Sequence, residues 1–314
     1  MTFFVIFASD MGKFFQSKFV IYAISVISIV LWGSSYLWSN QLVKQNIPVE
    51  YIVCVRSLIA GVSLFLFNRL FKQCIRINKK DLGKFIGLAL CEPTVYFVLE
   101  TYGIKLTDSP TYSALVVSTS PIFSGIAGIM LFKEKLTRIN ILGIFICLIG
   151  LALVVTHGDK SCGEYFILGI ILLFLSVIVE VGYAIFTKEL SDVYKPSVIV
   201  MWQFLIGGLF LAPLAVFRTV PHFDAELYLS WSVLKPLLCL SLLCSSVAFT
   251  MWAATIKNLG VAKASVFLAM IPVFTAILGV ITGTESLIII QWIGICIAFA
   301  GLVLTQYVKK QPRV

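Results

Sequence analysis

Ten stretches of this chain are apolar for about 20 residues each, and they follow one another almost end to end: 19–39, 50–68, 82–104, 109–132, 137–156, 165–187, 197–217, 234–256, 261–282 and 287–307. At about 1.5 Å per helical residue, each matches the hydrocarbon thickness of a bilayer. Inside lipid no water is at hand to satisfy backbone N–H and C=O groups. A helix satisfies them within its own segment. The pattern therefore predicts an all-α polytopic membrane protein with ten transmembrane helices. Composition agrees: 60% of the 314 residues are hydrophobic and 12% are charged, where soluble domains carry roughly 25% charged residues. The longest connections, 69–81 and 218–233, leave no room for a soluble domain.

The formal charge of +9 would suit a nucleic-acid binder, but the basic residues gather on one side of the predicted membrane. With the N-terminus in the cytoplasm, 18 Lys and Arg fall on the cytoplasmic side and 5 on the outer side, with Arg56 inside a span. The positive-inside rule reads such a bias as topology. Segments 1–18 and 308–314 are then both cytoplasmic, and the expected location is the cytoplasmic membrane. The bilayer is the expected partner and nucleic acid is not. Phe3–Ala8 is too short for the apolar core of a secretory signal, and Met11 is an alternative start. The eight cysteines form no CxxC pair and lie mostly in apolar runs. They read as small core residues, so neither a disulfide nor a metal site nor a cofactor is expected.

The chain also repeats itself. Shifted by 151 positions without a gap, 113–155 meets 264–306: Pro121 falls on Pro272, Gly128 on Gly279, Glu134 on Glu285, Gly143 on Gly294 and Gly150 on Gly301. Matched Leu or Ile is weak evidence in apolar sequence, but matched Pro, Gly and Glu in one register indicate internal duplication. Looser matches extend it: Leu58-Ile59-Ala60-Gly61 with Leu205-Ile206-Gly207-Gly208, and Gly33 with Gly182. The two units are 19–156 and 165–307. Each holds five spans, an odd number, so the second enters the membrane from the opposite side. Two inverted five-helix repeats can open to either side around one central site, as secondary transporters do.

A mid-span proline, a glutamate at the membrane edge and a glycine-spaced helix, all present twice, resemble the EamA-type transporters of the drug/metabolite transporter superfamily. Trp32-Gly33-Ser34-Ser35 is similar to that family's opening motif. The resemblance implies a transporter that moves a small organic metabolite, such as an amino acid or a related polar or zwitterionic compound, outward. An importer or exchanger of the same superfamily is the alternative. A membrane-embedded lipid-modifying enzyme is disfavoured. Such chemistry needs a histidine base or clustered acids for a metal, and the chain has only His157 and His222, both in outer loops, with no Asp-rich motif.

Charges within spans are costly and mark function. They are Arg56, Glu92, Glu100 and Glu180. At 1.5 Å per residue, Glu92 and Glu180 lie about 12 Å from the cytoplasmic edge, while Arg56 and Glu100 share the outer third. The latter two are candidates for an ion pair. Glu92 precedes Pro93, and Tyr96 and Glu100 continue its face. Proline frees the carbonyl of residue 89. Trp32 and Tyr36 share a face of the first span and are expected as walls. The predicted substrate contacts are thus Glu92, Tyr96, Glu180, Trp32, Tyr36, Arg56 and Glu100. Buried carboxyls can exchange protons, so proton coupling at Glu92 and Glu180 is compatible with the sequence but not required by it. Pro121 and Pro272 are expected to bend their helices, as hinges or as static kinks. Glu134 and Glu285 oppose helix dipoles and read as structural. Gly83–Gly87–Cys91, Gly143–Cys147–Gly150 and Gly294–Ala298–Gly301 form small faces for helix packing. Spans 4–5 and 9–10 are expected to frame the site rather than form it.

Overall fold

The computed structural model describes residues 18–120, 122–123, 138–139, 142–143, 145–146, 149–150, 153, 165–222, 224–284 and 286–305. All regular structure among them is helical. We label the main elements α1 (Lys18–Lys44), α2 (Val49–Leu70), α3 (Lys79–Thr107), α4 (Pro110–Val117), α5 (Phe166–Ser191), α6 (Pro196–Thr219), α7 (Trp231–Leu259), α8 (Val261–Leu268), α9 (Ile271–Ile281) and α10 (Ile289–Thr305). Among the described residues, six helices are long and apolar enough to cross a membrane: α1, α2, α3, α5, α6 and α7.

Local chemistry sets several boundaries. Pro110 and Pro196 open α4 and α6 at positions where a missing N–H costs nothing. The Ser109 side chain caps α4 by accepting the Tyr112 N–H at 3.3 Å. Gly260, at φ +80°, ends α7 in a conformation that an L side chain rarely adopts.

One expected span is not a single helix. Stretch 261–282 divides into α8 and α9, with Ala269 and Met270 outside the helical pattern. Pro272 has no N–H, and its ring crowds the carbonyl four residues back, at Leu268, where α8 stops. The fourth stretch behaves alike at its start: α4 stops at Val117 and Ser118–Thr119 form a turn. The turn bonds correspond, with Thr119 N–H to the Val116 carbonyl at 3.1 Å and Met270 N–H to the Phe267 carbonyl at 2.9 Å. The two interruptions are 151 residues apart, the spacing of the repeat. Pro121, Glu134 and Glu285 lie outside the described residues.

Helices meet where side chains are smallest. A Cβ on Gly61 would come within 2.9 Å of the Leu205 backbone nitrogen, and one on Gly208 within 3.2 Å of that of Leu58. These are the segments that match in sequence, and the contact is reciprocal: 61 meets 205 and 208 meets 58. Going up one helix means going down the other, so α2 and α6 pack antiparallel and in register. Gly150 meets the Gly294 carbonyl and the Ala298 backbone in the same manner. The third small face departs from expectation. Gly87 takes the Phe186 ring, but a Cβ on Gly83 would have nothing within 4 Å.

Polar side chains tie the interior together. Ser25 and Thr255 bond at 2.9 Å, Ser63 and Ser246 at 2.8 Å, and Ser197 donates to Asn68 at 2.7 Å. In a bilayer such bonds hold helices that have no hydrophobic drive to associate. The largest buried side chains gather about Phe249, which meets Trp32 at 4.8 Å, Phe204 at 5.1 Å and Tyr183 at 5.8 Å between ring centroids. This aromatic mass walls the candidate site.

Candidate functional site

The site starts from a defect in α3. Over Leu90–Val95 the helix widens, and Glu92 takes φ −146°, ψ 123°, outside the helical region. The Ala89 carbonyl loses its usual partner there and accepts the Thr94 hydroxyl at 2.8 Å instead. Widened turns recur at functional sites because they redirect side chains. α7 carries another over Cys239–Val247. The 151-residue shift places 90–95 on 241–246, within that segment. Its Ser245 hydroxyl accepts the Arg56 Nε–H at 2.6 Å, and its Cys244 carbonyl accepts the Trp32 indole N–H at 3.1 Å.

Beside the α3 turn, where Glu92 joins its lining, lies a cavity of about 40 Å³. α1 supplies Trp32, Ser35 and Tyr36, and α2 supplies Arg56. Glu92, Tyr96, Phe97 and Glu100 come from α3, and Glu180 and Tyr183 from α5. Phe249 and Trp252 of α7 close the wall. All seven side chains named from sequence as substrate contacts therefore face one space. Val117 and Ser120 beside one helix interruption, and Leu268 and Ile271 beside the other, complete the lining. This corrects the expectation for the fourth and ninth stretches: they contribute walls, because a helix stopped at mid-depth presents its ends to the cavity.

The polar contacts are selective. Glu100 accepts the Tyr96 hydroxyl at 2.8 Å, one helical turn away, and interacts with the Tyr36 hydroxyl. Glu180 accepts the Ser120 hydroxyl across to the neighbouring span. Arg56 is 2% exposed, and its guanidinium lies 3.8 Å from the centre of the Phe97 ring, in cation–π range. The expected Arg56–Glu100 contact pair is absent from the ion pairs within 4.0 Å. Arg56 reaches sideways to Ser245 and Phe97, while Tyr96 holds Glu100. The two charges attract at longer range, as do Arg56 and Glu92. Glu92 is 3% exposed and has neither a hydrogen bond nor an ion pair among the described residues.

Other polar and aromatic side chains of the spans fall elsewhere. Trp202 donates its indole N–H to the Ile75 carbonyl at 2.8 Å, anchoring the loop between α2 and α3. Gln203 is fully buried with no hydrogen-bond partner for its side chain among the described residues, and it lies off the cavity lining. Pro272 sits at the start of α9, beside the cavity-lining Ile271. Sequence reasoning did not single out Ser120, Phe97, Phe249 or Ser245. Ser120 had a signal, a hydroxyl immediately before a mid-span proline. The two phenylalanines had none, because 25 phenylalanines are spread along this apolar chain. Among the described residues, no three His, Cys, Asp or Glu side chains gather as a metal site would require.

Comparison with known proteins returns one family twice. The model of the EamA-like transporter family matches residues 19–156 and 167–307. An uncharacterized transporter of Bacillus subtilis (strain 168), YetK, is 26% identical over 305 residues, covering 96% of this chain and 91% of that protein. An uncharacterized transporter of Archaeoglobus fulgidus is 23% identical, covering 89% of this chain and 94% of that protein. One crystal structure superposes with a TM-score of 0.72 at 17% identity, over 92% of this chain and 96% of the other.

Proposed function

Since the chain belongs to the EamA-like transporter family, we propose that it is a secondary transporter of a small polar or zwitterionic organic metabolite. Alternating access around the central cavity is the mechanism, and export across the cytoplasmic membrane the direction. Its multi-pass membrane character follows from the family and from the six spanning helices. The carrying observation is the cavity itself. Arg56 and three carboxylates, Glu92, Glu100 and Glu180, are buried among aromatic walls at a depth where charge is costly without a task.

Two features support inverted halves. The reciprocal antiparallel contact of α2 with α6 is what a two-fold axis in the membrane plane would produce. The paired interruptions and paired widened turns recur near one offset. A cavity of about 40 Å³ has room for a few water molecules, so a metabolite enters only when the helices part. That fits a conformation between the two open states. Glu92 and Glu180 are the groups through which proton movement would be coupled.

The test begins with purified protein and a metabolite panel, scored by thermal stabilisation. A stabilising compound must then show counterflow in proteoliposomes. Stabilisation by none of the panel, together with no flux of any panel compound, would sink the reading. Uptake against the gradient into right-side-out vesicles would replace export with import.

A further inference from the structure

The loop between α2 and α3 carries a run of positive charge on a fixed mount. α2 ends in a left-handed turn at Lys72, φ +50°, whose N–H meets the Arg69 carbonyl at 3.1 Å. Three bonds then pin the chain. The Gln73 N–H meets the Asn68 carbonyl at 2.8 Å, the Trp202 indole N–H meets the Ile75 carbonyl at 2.8 Å, and the Asn78 N–H meets the Tyr194 hydroxyl at 3.0 Å. Between these pins burial alternates with a period of two, as in extended chain. Ile75 and Ile77 pack against the core, while Lys72, Cys74 and Arg76 are exposed. Exposed Lys79 and Lys80 follow, and exposed Arg69 stands just before. None of these five basic side chains has an ion pair or hydrogen bond among the described residues. Acids at the same end are engaged elsewhere: Asp81 accepts the Tyr194 hydroxyl, and Glu189 pairs with Lys84. Sidedness in the membrane needs only the number of Lys and Arg in a loop, not a mount that fixes where each one points.

Apolar side chains locate the bilayer beside this ridge. Phe65, Leu66, Phe67 and Leu70 are exposed on the last turns of α2, and Leu82 is exposed near the start of α3. On spanning helices such surface faces lipid tails. One helical turn is about 5.4 Å, so basic groups within a turn of Leu70 and Leu82 stand at headgroup depth. We propose that the ridge of Arg69, Lys72, Arg76, Lys79 and Lys80 binds the headgroups of anionic phospholipids in the adjoining leaflet. Uncommitted guanidinium and ammonium groups are the donors a phosphodiester takes, and a polybasic segment beside a span is drawn to an anionic bilayer surface. The occupant is a lipid rather than a soluble anion because the ridge is continuous with the tail-facing side chains of α2. Headgroup and tails are met together. None of the five residues lines the cavity, and the assignment does not rest on transport. Lipid bound there fastens the loop to the bundle, so stability reports it.

The experiment uses the full chain purified in a neutral detergent and reads its melting temperature. Phosphatidylglycerol and phosphatidylcholine are added at equal mole fraction, and glycerol phosphate serves as the soluble headgroup. Phosphatidylglycerol should raise the melting temperature by several degrees more than phosphatidylcholine does, and glycerol phosphate should not. The excess should fall by at least half at about 1 M salt, where the screening length is about 3 Å. Lys72→Gln, Arg76→Gln, Lys79→Gln and Lys80→Gln together should remove most of the excess. The control neutralises the opposite end of the bundle, where Lys44 and Lys105 close α1 and α3. Lys44→Gln with Lys105→Gln should keep the excess. Equal stabilisation by the two lipids overturns the proposal, and so does an excess that the ridge variant retains or that the control loses equally. Stabilisation by glycerol phosphate to the same extent makes the ridge a site for free phosphate and overturns the lipid assignment. Neutralising a loop that helps to set topology can prevent insertion. The lipid, headgroup and salt series on the unmodified protein then decides alone.

Discussion

Glu92 shows how one residue can set the character of a site. The proline after it takes a donor out of the helix, the backbone at Glu92 leaves the helical region, and the carboxylate faces the cavity with no hydrogen bond or ion pair among the described residues. Glu92→Gln keeps the shape and removes the charge. The expected outcome is loss of counterflow with unchanged membrane insertion and helix content. Normal flux in that variant would remove Glu92 from the mechanism. Close packing is equally local. A Cβ on Gly207 would lie 2.5 Å from the Pro93 ring and 3.3 Å from the Ala89 carbonyl. Gly207→Leu therefore overpacks the support of the Glu92 turn, a class of change that costs about 1–3 kcal/mol. A fall of several degrees in melting temperature in detergent is expected, whereas Gly83→Ala, which meets nothing within 4 Å, should leave melting unchanged.

Among the elements, the interrupted helices matter most. α8 and α9 would form one continuous span but for Met270 and Ala269 in front of Pro272. Leu268 and Ile271 flank the gap and touch the cavity, so a change of angle between the two pieces alters its wall. Pro272→Ala restores an N–H and relieves crowding at Leu268, which favours a straight helix. Slower counterflow with little change in ligand affinity is expected, since a hinge governs exchange between states more than contacts within one. A variant that loses affinity and rate in parallel would make the proline a static support. The proline was legible in sequence as a bend. Its place beside the cavity was not, because helical depth gives height in the membrane and says nothing of which neighbour a face meets.

At the scale of the molecule, the question is which ends separate. Lys84 and Glu189 join the neighbouring ends of α3 and α5 at 2.7 Å. Tyr194, just beyond α5, donates to Asp81 at 2.7 Å beside the same end. If access alternates, this end must open. Lys84→Cys combined with Glu189→Cys, joined by a short bismaleimide, should block counterflow, and uninterrupted flux in the fully joined protein would place the opening elsewhere. The side on which this end lies is set by topology. Cys74 is exposed in the loop between α2 and α3. A membrane-impermeant maleimide should reach it in inverted vesicles and not in intact cells, and a Glu226→Cys substitution on the far loop should behave oppositely. The reverse pattern would invert the orientation.

Sequence by itself determined the helical class, six of the spans among the described residues, the repeat that the family model matches twice and the short list of buried charges. Those follow from what lipid demands of any backbone and any charge, and each can be read one segment at a time. Arg56, Glu92, Glu100 and Glu180 stood out by depth and charge, and Trp32, Tyr36 and Tyr96 by the helix faces they share. Tertiary structure decided how they meet: Arg56 with Ser245 and Phe97 rather than with Glu100, Glu180 with Ser120, and Glu92 with no hydrogen bond or ion pair among the described residues. Such pairings depend on the rotation of each helix about its own axis. In a chain this apolar, hydrophobic periodicity barely constrains that rotation. Small residues such as Gly61, Gly207 and Gly208 fix it instead, by where they let two backbones approach.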